Sequence, residues 1–186
     1  MLANVANELA ARPGIPALLP PSVLVIGYGN DLRSDDGAGI RVATRLARLA
    51  SCRPQTASWH VIVARQLTPD LADGMATAAQ VIFVDAYAAD ERGAGIRIDR
   101  ISADNADNAD TARTPSAIGH HGDPEALLCL TARLYGKTPD AWVVGIPAFN
   151  LDIGETISPG TLRGIDEAVA LIDARAVPEA WKGDST

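Results

Sequence analysis

The chain has 186 residues, 47% of them apolar and 21% charged. That is the size of one ordinary domain with enough apolar surface to bury a core, so a mostly disordered protein is excluded. Sixteen Lys and Arg against twenty-three Asp and Glu give a formal charge of −7, and with no basic excess a nucleic-acid partner is excluded too. The longest apolar runs, such as Val23–Ile26 and Val81–Val84, fall far short of the roughly 20 residues that a membrane-spanning helix needs.

Residues 1–21 are rich in Ala and Pro and end in Leu19-Pro20-Pro21, which reads as a loosely held extension. They carry no Lys or Arg before Arg12 and do not read as a secretory signal. A single domain is expected over residues 22–176, with a tail at 177–186. Val23–Ile26, closed by Gly27, reads as a buried strand. A glycine-rich turn leads into a helix over about residues 38–50, with Ile40, Ala43, Ala47 and Ala50 on its inner face and Arg41, Arg45 and Arg48 in solvent. His60–Ala64 reads as a second strand. Thr68-Pro69-Asp70 opens a helix through a capping hydroxyl, a proline and an acid at the positive end of the dipole.

Val81–Asp85 reads as a third buried strand, and Ile96, Ile98 and Ile101 suggest a short edge strand. Asp123-Pro124-Glu125 starts a helix carrying Leu127, Leu130 and Leu134 inward and stopping at Gly136. Trp142–Ile146 reads as a strand broken by Pro147. Ser158-Pro159 starts a last helix that buries Leu162, Ile165, Val169 and Ile172. Apolar strands alternating with amphipathic helices predict a largely parallel sheet covered on both faces. The ADNADNAD repeat at Ala103–Asp110 lacks the spacing and glycine of a calcium loop and reads as a polar insertion. Cys52 and Cys129 are too few for a disulfide framework. A buried thiol at Cys129 and a reducing cytosol are expected.

Three places carry candidate chemistry. Gly27–Gly39, GYGNDLRSDDGAG, lacks the third glycine of a dinucleotide loop and the Gly-Lys-Ser/Thr of a nucleotide loop. It offers Asp35 and Asp36 before a helix, where one of the two is expected to cap. Asp85 ends an apolar strand, the position where open α/β sheets bind ligands. If the first and third strands are parallel, Asp36 and Asp85 emerge at one edge. His120 and His121 precede the helix at Asp123, and one of them is expected to face the cleft. Two carboxylates and one imidazole form an incomplete shell for a divalent transition metal. Other chemistries fare worse: Ser116 has no Gly-x-Ser-x-Gly elbow, no paired Asp-Thr/Ser-Gly turns are present, and aromatic residues for stacking sugars are few. Asn30, Gln66 and Glu155 are further polar residues expected near the cleft.

GYGNDLRSDDGAG after a strand, VIFVDA around Asp85, and HHGDPEALL leading to LYGKTP together resemble the hydrogenase maturation proteases. These endopeptidases trim the C-terminus of the nickel–iron hydrogenase large subunit. RQLTPDLAD and WVVGIPAFNLDIGETISPGTLRGIDEAV resemble most the branch serving NAD-reducing, bidirectional hydrogenases. The likeness runs over roughly residues 22–174. It implies a three-layer α/β/α sandwich with a twisted, mostly parallel five-stranded sheet. It also implies a catalytic and metal-contacting site of Asp36, Asp85 and His120. His120 is selected over His121 by its distance from Pro124 and Leu128. Two departures stand out: Asp36 holds a position that is often glutamate, about 1.5 Å longer in reach, and Gly119 precedes the histidine where Ser or Thr is common.

The metal implied is nickel, supplied by the substrate. The partner implied is the large-subunit precursor, met transiently in the cytoplasm. A monomer is expected, because a protease that docks briefly on one substrate needs no partner subunit. A nickel-site checkpoint without catalysis and a small-molecule metallohydrolase are the alternative readings.

Overall fold

The computed structural model describes residues 23–52, 59–90, 94–103 and 123–174. His120, His121, Ser116, the insertion after Ala103, the extension before Pro21 and the tail from 177 lie outside these residues. Five strands form one sheet: β1 (Val23–Gly27), β2 (Trp59–Val63), β3 (Gln80–Ala88), β4 (Arg97–Ile101) and β5 (Asp140–Ala148). Among the described residues there are four α-helices: α1 (Ala38–Ser51), α2 (Leu71–Thr77), α3 (Pro124–Tyr135) and α4 (Pro159–Ala174). The spatial order is β2-β1-β3-β5-β4. All neighbours run parallel except β4, which lies antiparallel on β5 at the edge.

Strand alternation sends successive side chains to opposite faces. Val23 and Val25 of β1, with Ile82 and Val84 of β3, face a core closed by Val42 and Leu46 of α1 and Ile165 and Ile172 of α4. Leu24 and Ile26, with Val81 and Phe83, face a second core closed by Met75 of α2 and Leu127 and Leu128 of α3. Helices therefore cover both faces, as an α/β/α arrangement requires. Each large aliphatic or aromatic group buried here contributes on the order of 1.5–3 kcal/mol.

Several local expectations are corrected. The inner face of α1 is Ala38, Gly39, Val42, Ala43 and Leu46, because the bulkier Val42 and Leu46 outcompete Ala47 and Ala50 for the core. Its three arginines are exposed as expected: Arg45 pairs with Asp166, and Arg41 donates to the Glu155 carbonyl at 3.0 Å. Thr68 caps nothing. Residues 68–70 form a turn in which Leu71 N–H bonds the Thr68 carbonyl at 3.1 Å, and α2 begins only at Leu71. In α3 the buried residues are Leu127, Leu128 and Thr131, while Leu134 is exposed and Cys129 is only half-buried. In α4, Thr161, Gly164 and Ala168 join Ile165 and Ile172 on the buried side, and Leu162 turns outward.

Pro147 does not break β5, which runs on to Ala148. The Ala148 carbonyl accepts from Ala89 N–H at 2.9 Å, so alternation turns the Pro147 nitrogen the other way. There β4 has already ended at the Arg97–Gly145 pairing. The missing N–H costs no ladder bond, and the Pro147 carbonyl accepts from the Thr161 hydroxyl at 2.7 Å.

Candidate active site

The site is built where β1 stops and β3 continues. Gly27 pairs with Val84, and Tyr28 N–H still bonds the Val84 carbonyl at 3.1 Å, which sets Tyr28 beside Asp85. Asp85 pairs with Gly145 of β5, and Gly145 pairs with Arg97 of β4. Tyr28, Asp85, Gly145 and Arg97 thus form one row across the sheet, and residues in a row share a face. It is the face of Leu24, Ile26 and Phe83, covered by α2 and α3.

The apolar run Val81–Val84 predicts a strand that ends at Asp85. The structure places it inside β3, three residues before the end, but one residue past the last β1 pairing. Its Oδ1 accepts Ala86 N–H at 2.8 Å. Burial pushes its carboxyl up to about 7 and the charge of Asp36 adds to this, against the opposing pull of the Ala86 N–H and the Tyr28 hydroxyl. Burial, then the charge and hydrogen bond of Asp85, push the Tyr28 hydroxyl well above its ordinary value. Tyr28 therefore keeps its proton and donates it toward Asp85.

Asp36 lies in a 3₁₀ turn, Ser34–Gly37, and is 1% exposed. The turn is held tightly: Asn30 N–H reaches the Asp36 carbonyl at 3.3 Å, and Asn30 Oδ1 accepts Leu32 N–H at 3.0 Å. Gly29 sits between the two acids at φ +138. A Cβ there would come within 2.1 Å of the Asp36 carbonyl oxygen and 3.9 Å of Asp85 Oδ1, so only glycine serves. The turn's second acid behaves differently. Neither acid caps a helix through its side chain. Asp35, fully buried, accepts Phe149 N–H and Asn150 N–H at 2.9 Å and Ser158 N–H and hydroxyl at 2.7 Å. Burial alone raises its carboxyl, but these donors outweigh burial and hold it below the ordinary value. Asp35 ties the first loop to the segment between β5 and α4.

Asp36 and Asp85 are thus brought within electrostatic reach of each other. His120 and His121 lie outside the described residues. Asp123 caps α3 by accepting Glu125 N–H at 2.9 Å, and its charge reaches Tyr28. Among the described residues, no three His, Cys, Asp or Glu converge as a metal cage. A partly exposed carboxyl backed by a buried one suits proton transfer near neutral pH, or contact with a metal that a ligand brings. The sequence reading missed Tyr28 and the tether at Asp35. The first was legible from alternation, since residues 24, 26 and 28 share a face. The second was not, since Asp35 bonds groups more than a hundred residues away.

No protein-family model and no curated protein matches the chain. Solved structures do. The chain is similar to the hydrogenase maturating endopeptidase HybD from E. coli at 22% identity, covering 82% of this chain and 90% of that one, with a TM-score of 0.61. It is similar to the nickel–iron hydrogenase maturation protease HycI from Thermococcus kodakarensis at 20% identity, covering 83% and 91%, with a TM-score of 0.59. A hydrogenase 2 maturation peptidase from a Thaumarchaeota archaeon follows at 24% identity, covering 82% and 96%, with a TM-score of 0.53. The described strands and helices therefore form the fold of solved hydrogenase maturation endopeptidases.

Proposed function

We propose that this chain is a processing endopeptidase that removes the C-terminal extension of a nickel–iron hydrogenase large-subunit precursor after nickel insertion, in the branch serving NAD-reducing hydrogenases. The observation that carries this reading is the pairing of Asp36 with Asp85 at the carboxyl end of the central strands, on a fold whose solved examples are named as such endopeptidases. The nickel arrives as part of the substrate and meets Asp36, Asp85 and His120. The encounter takes place in the cytoplasm and needs one copy of the chain. Asp85 is the partly exposed carboxyl and meets substrate first, while Asp36 lies buried behind it.

Hydrolysis forms one bond from water oxygen to the scissile carbonyl carbon and breaks the bond to the amide nitrogen. The water proton passes to a carboxylate and then to the leaving amine. Asp85, held basic by burial and by Asp36, is placed to carry that proton. Tyr28 orients it.

The test is processing of nickel-loaded precursor by single variants. Asp36→Ala, Asp85→Ala and His120→Ala each lose at least about 100-fold in rate, while His121→Ala loses much less. Equal damage from both histidine changes would overturn the assignment of His120. Full precursor binding with no cleavage by the unsubstituted chain would favour a checkpoint over an enzyme.

A further inference from the structure

A second feature shares the row that holds Asp85. Two strands away stands Arg97, with Gly145 between them. The Tyr87 ring lies over Gly145, where a Cβ would meet Tyr87 Cδ1 at 3.1 Å and Arg97 Cβ at 3.6 Å. The Arg97 guanidinium stacks on that ring, 3.8 Å from its centroid. The ring is fixed in turn, because the Tyr87 hydroxyl donates to the Gly95 carbonyl at 2.7 Å. Together they border an open groove of about 430 Å³ lined by Tyr87, Ala88, Asp90, Gly95, Ile96 and Arg97.

Close stacking is what sets this arginine apart from an ordinary surface cation, and among the described residues Arg97 forms no ion pair, not even with Asp90 in the same groove. Stacking occupies the face of the guanidinium and leaves its N–H edge free, the edge that binds a carboxylate in plane. It also holds the group in one orientation before any ligand arrives, which lowers the entropy cost of binding.

We propose that the Tyr87–Arg97 groove is a substrate subsite that takes a carboxylate of the polypeptide being cut, a proposal that rests on the endopeptidase reading above. Neighbouring strands lie about 4.8 Å apart, so the Arg97 backbone sits roughly 10 Å from that of Asp85, and its guanidinium reaches back over Tyr87, two residues beyond Asp85 on the same strand. An extended chain advances about 3.3 Å per residue. The carboxylate therefore belongs within about three residues of the scissile bond. It comes either from an Asp or Glu side chain or from the chain's own C-terminus.

The experiment measures steady-state processing and precursor affinity for the full chain and for Arg97→Ala and Arg97→Lys. Arg97→Ala raises KM and the precursor Kd roughly tenfold, the scale of one charge-assisted contact, and leaves kcat within about twofold. Arg97→Lys restores part of the loss. Changing the precursor's acid near the cut to its amide, or amidating its C-terminus, identifies the source: the correct change reproduces the defect with unsubstituted enzyme and adds nothing to Arg97→Ala. A KM and Kd unmoved by Arg97→Ala, or no precursor change that couples to it, overturns the proposal. Failure of the unsubstituted chain to cut overturns the endopeptidase reading instead, and the affinity arm still decides the carboxylate subsite.

Discussion

Asp35 and Asp36 are adjacent and chemically identical, yet the fold gives them opposite work. Asp35 accepts four hydrogen bonds and is held ionised, whereas Asp36 lends its charge to Asp85. The sequence marked both as candidates for a cap and Asp36 for a site, but which acid faces the 149–158 segment depends on long-range contacts no local pattern encodes. The placement of Asp85 beside the turn with Asp36 was legible, because the acid follows the apolar run Val81–Val84 at the carboxyl end of a strand parallel to the first. Its environment carries a measurable cost. The folded carboxyl titrates near 7 against an ordinary 3.8, so between those values the folded chain binds more protons than the unfolded one. Its contribution to stability is present below about pH 4 and is lost as pH rises through 7. Asp85→Asn, whose amide oxygen still accepts from Ala86 N–H, stabilises the chain at pH 8 by roughly 1–4 kcal/mol and by almost nothing at pH 4. Urea unfolding at both pH values checks this; an equal effect at the two would contradict it.

The existence and order of the elements were readable from apolar runs and from the Asp123-Pro124 and Ser158-Pro159 starts. Both prolines open helices as expected. What the sequence left ambiguous was the rotation of each helix and the reach of each strand. Alanines at 47 and 50 match the helical period as well as Val42 does, and only the volume waiting in the core decides between them. Pro147 reads as a breaker unless it is known that β5 has lost one neighbour by that point. The glycine-rich loop raised the question of a ligand, and for two of its glycines the structure answers with packing. A Cβ on Gly27 would sit 2.2 Å from the Gly39 carbonyl oxygen, and one on Gly39 would sit 2.3 Å from those of Tyr28 and Val84. They let α1 start directly over the strand ends and so fix the turn that holds Asp36. Gly39→Ala therefore costs about 3 kcal/mol of stability. Gly95→Ala, with nothing within 4 Å of the new carbon, changes it by less than about 0.5 kcal/mol. Equal midpoints for the two variants in denaturant would contradict this account of the loop.

Across the whole molecule, the strand order β2-β1-β3-β5-β4 puts the central pair β1 and β3 side by side and ends them at different heights. The step between them holds Tyr28, Asp85 and the turn with Asp36, and the same row continues through Gly145 to Arg97. Parallel alternation was visible in the sequence, and so was the convergence of the two acids at one edge. The row itself was not, because register between distant strands cannot be counted along the chain. The central claim is that this edge cuts a protein substrate in response to the nickel it carries. Its most direct test is the intact mass of a hydrogenase large-subunit precursor before and after incubation with this chain, in nickel-loaded and nickel-free forms. Loss of one C-terminal peptide from the loaded form alone is the result the site predicts. An unchanged mass for the loaded precursor, with the complex still formed, would contradict it.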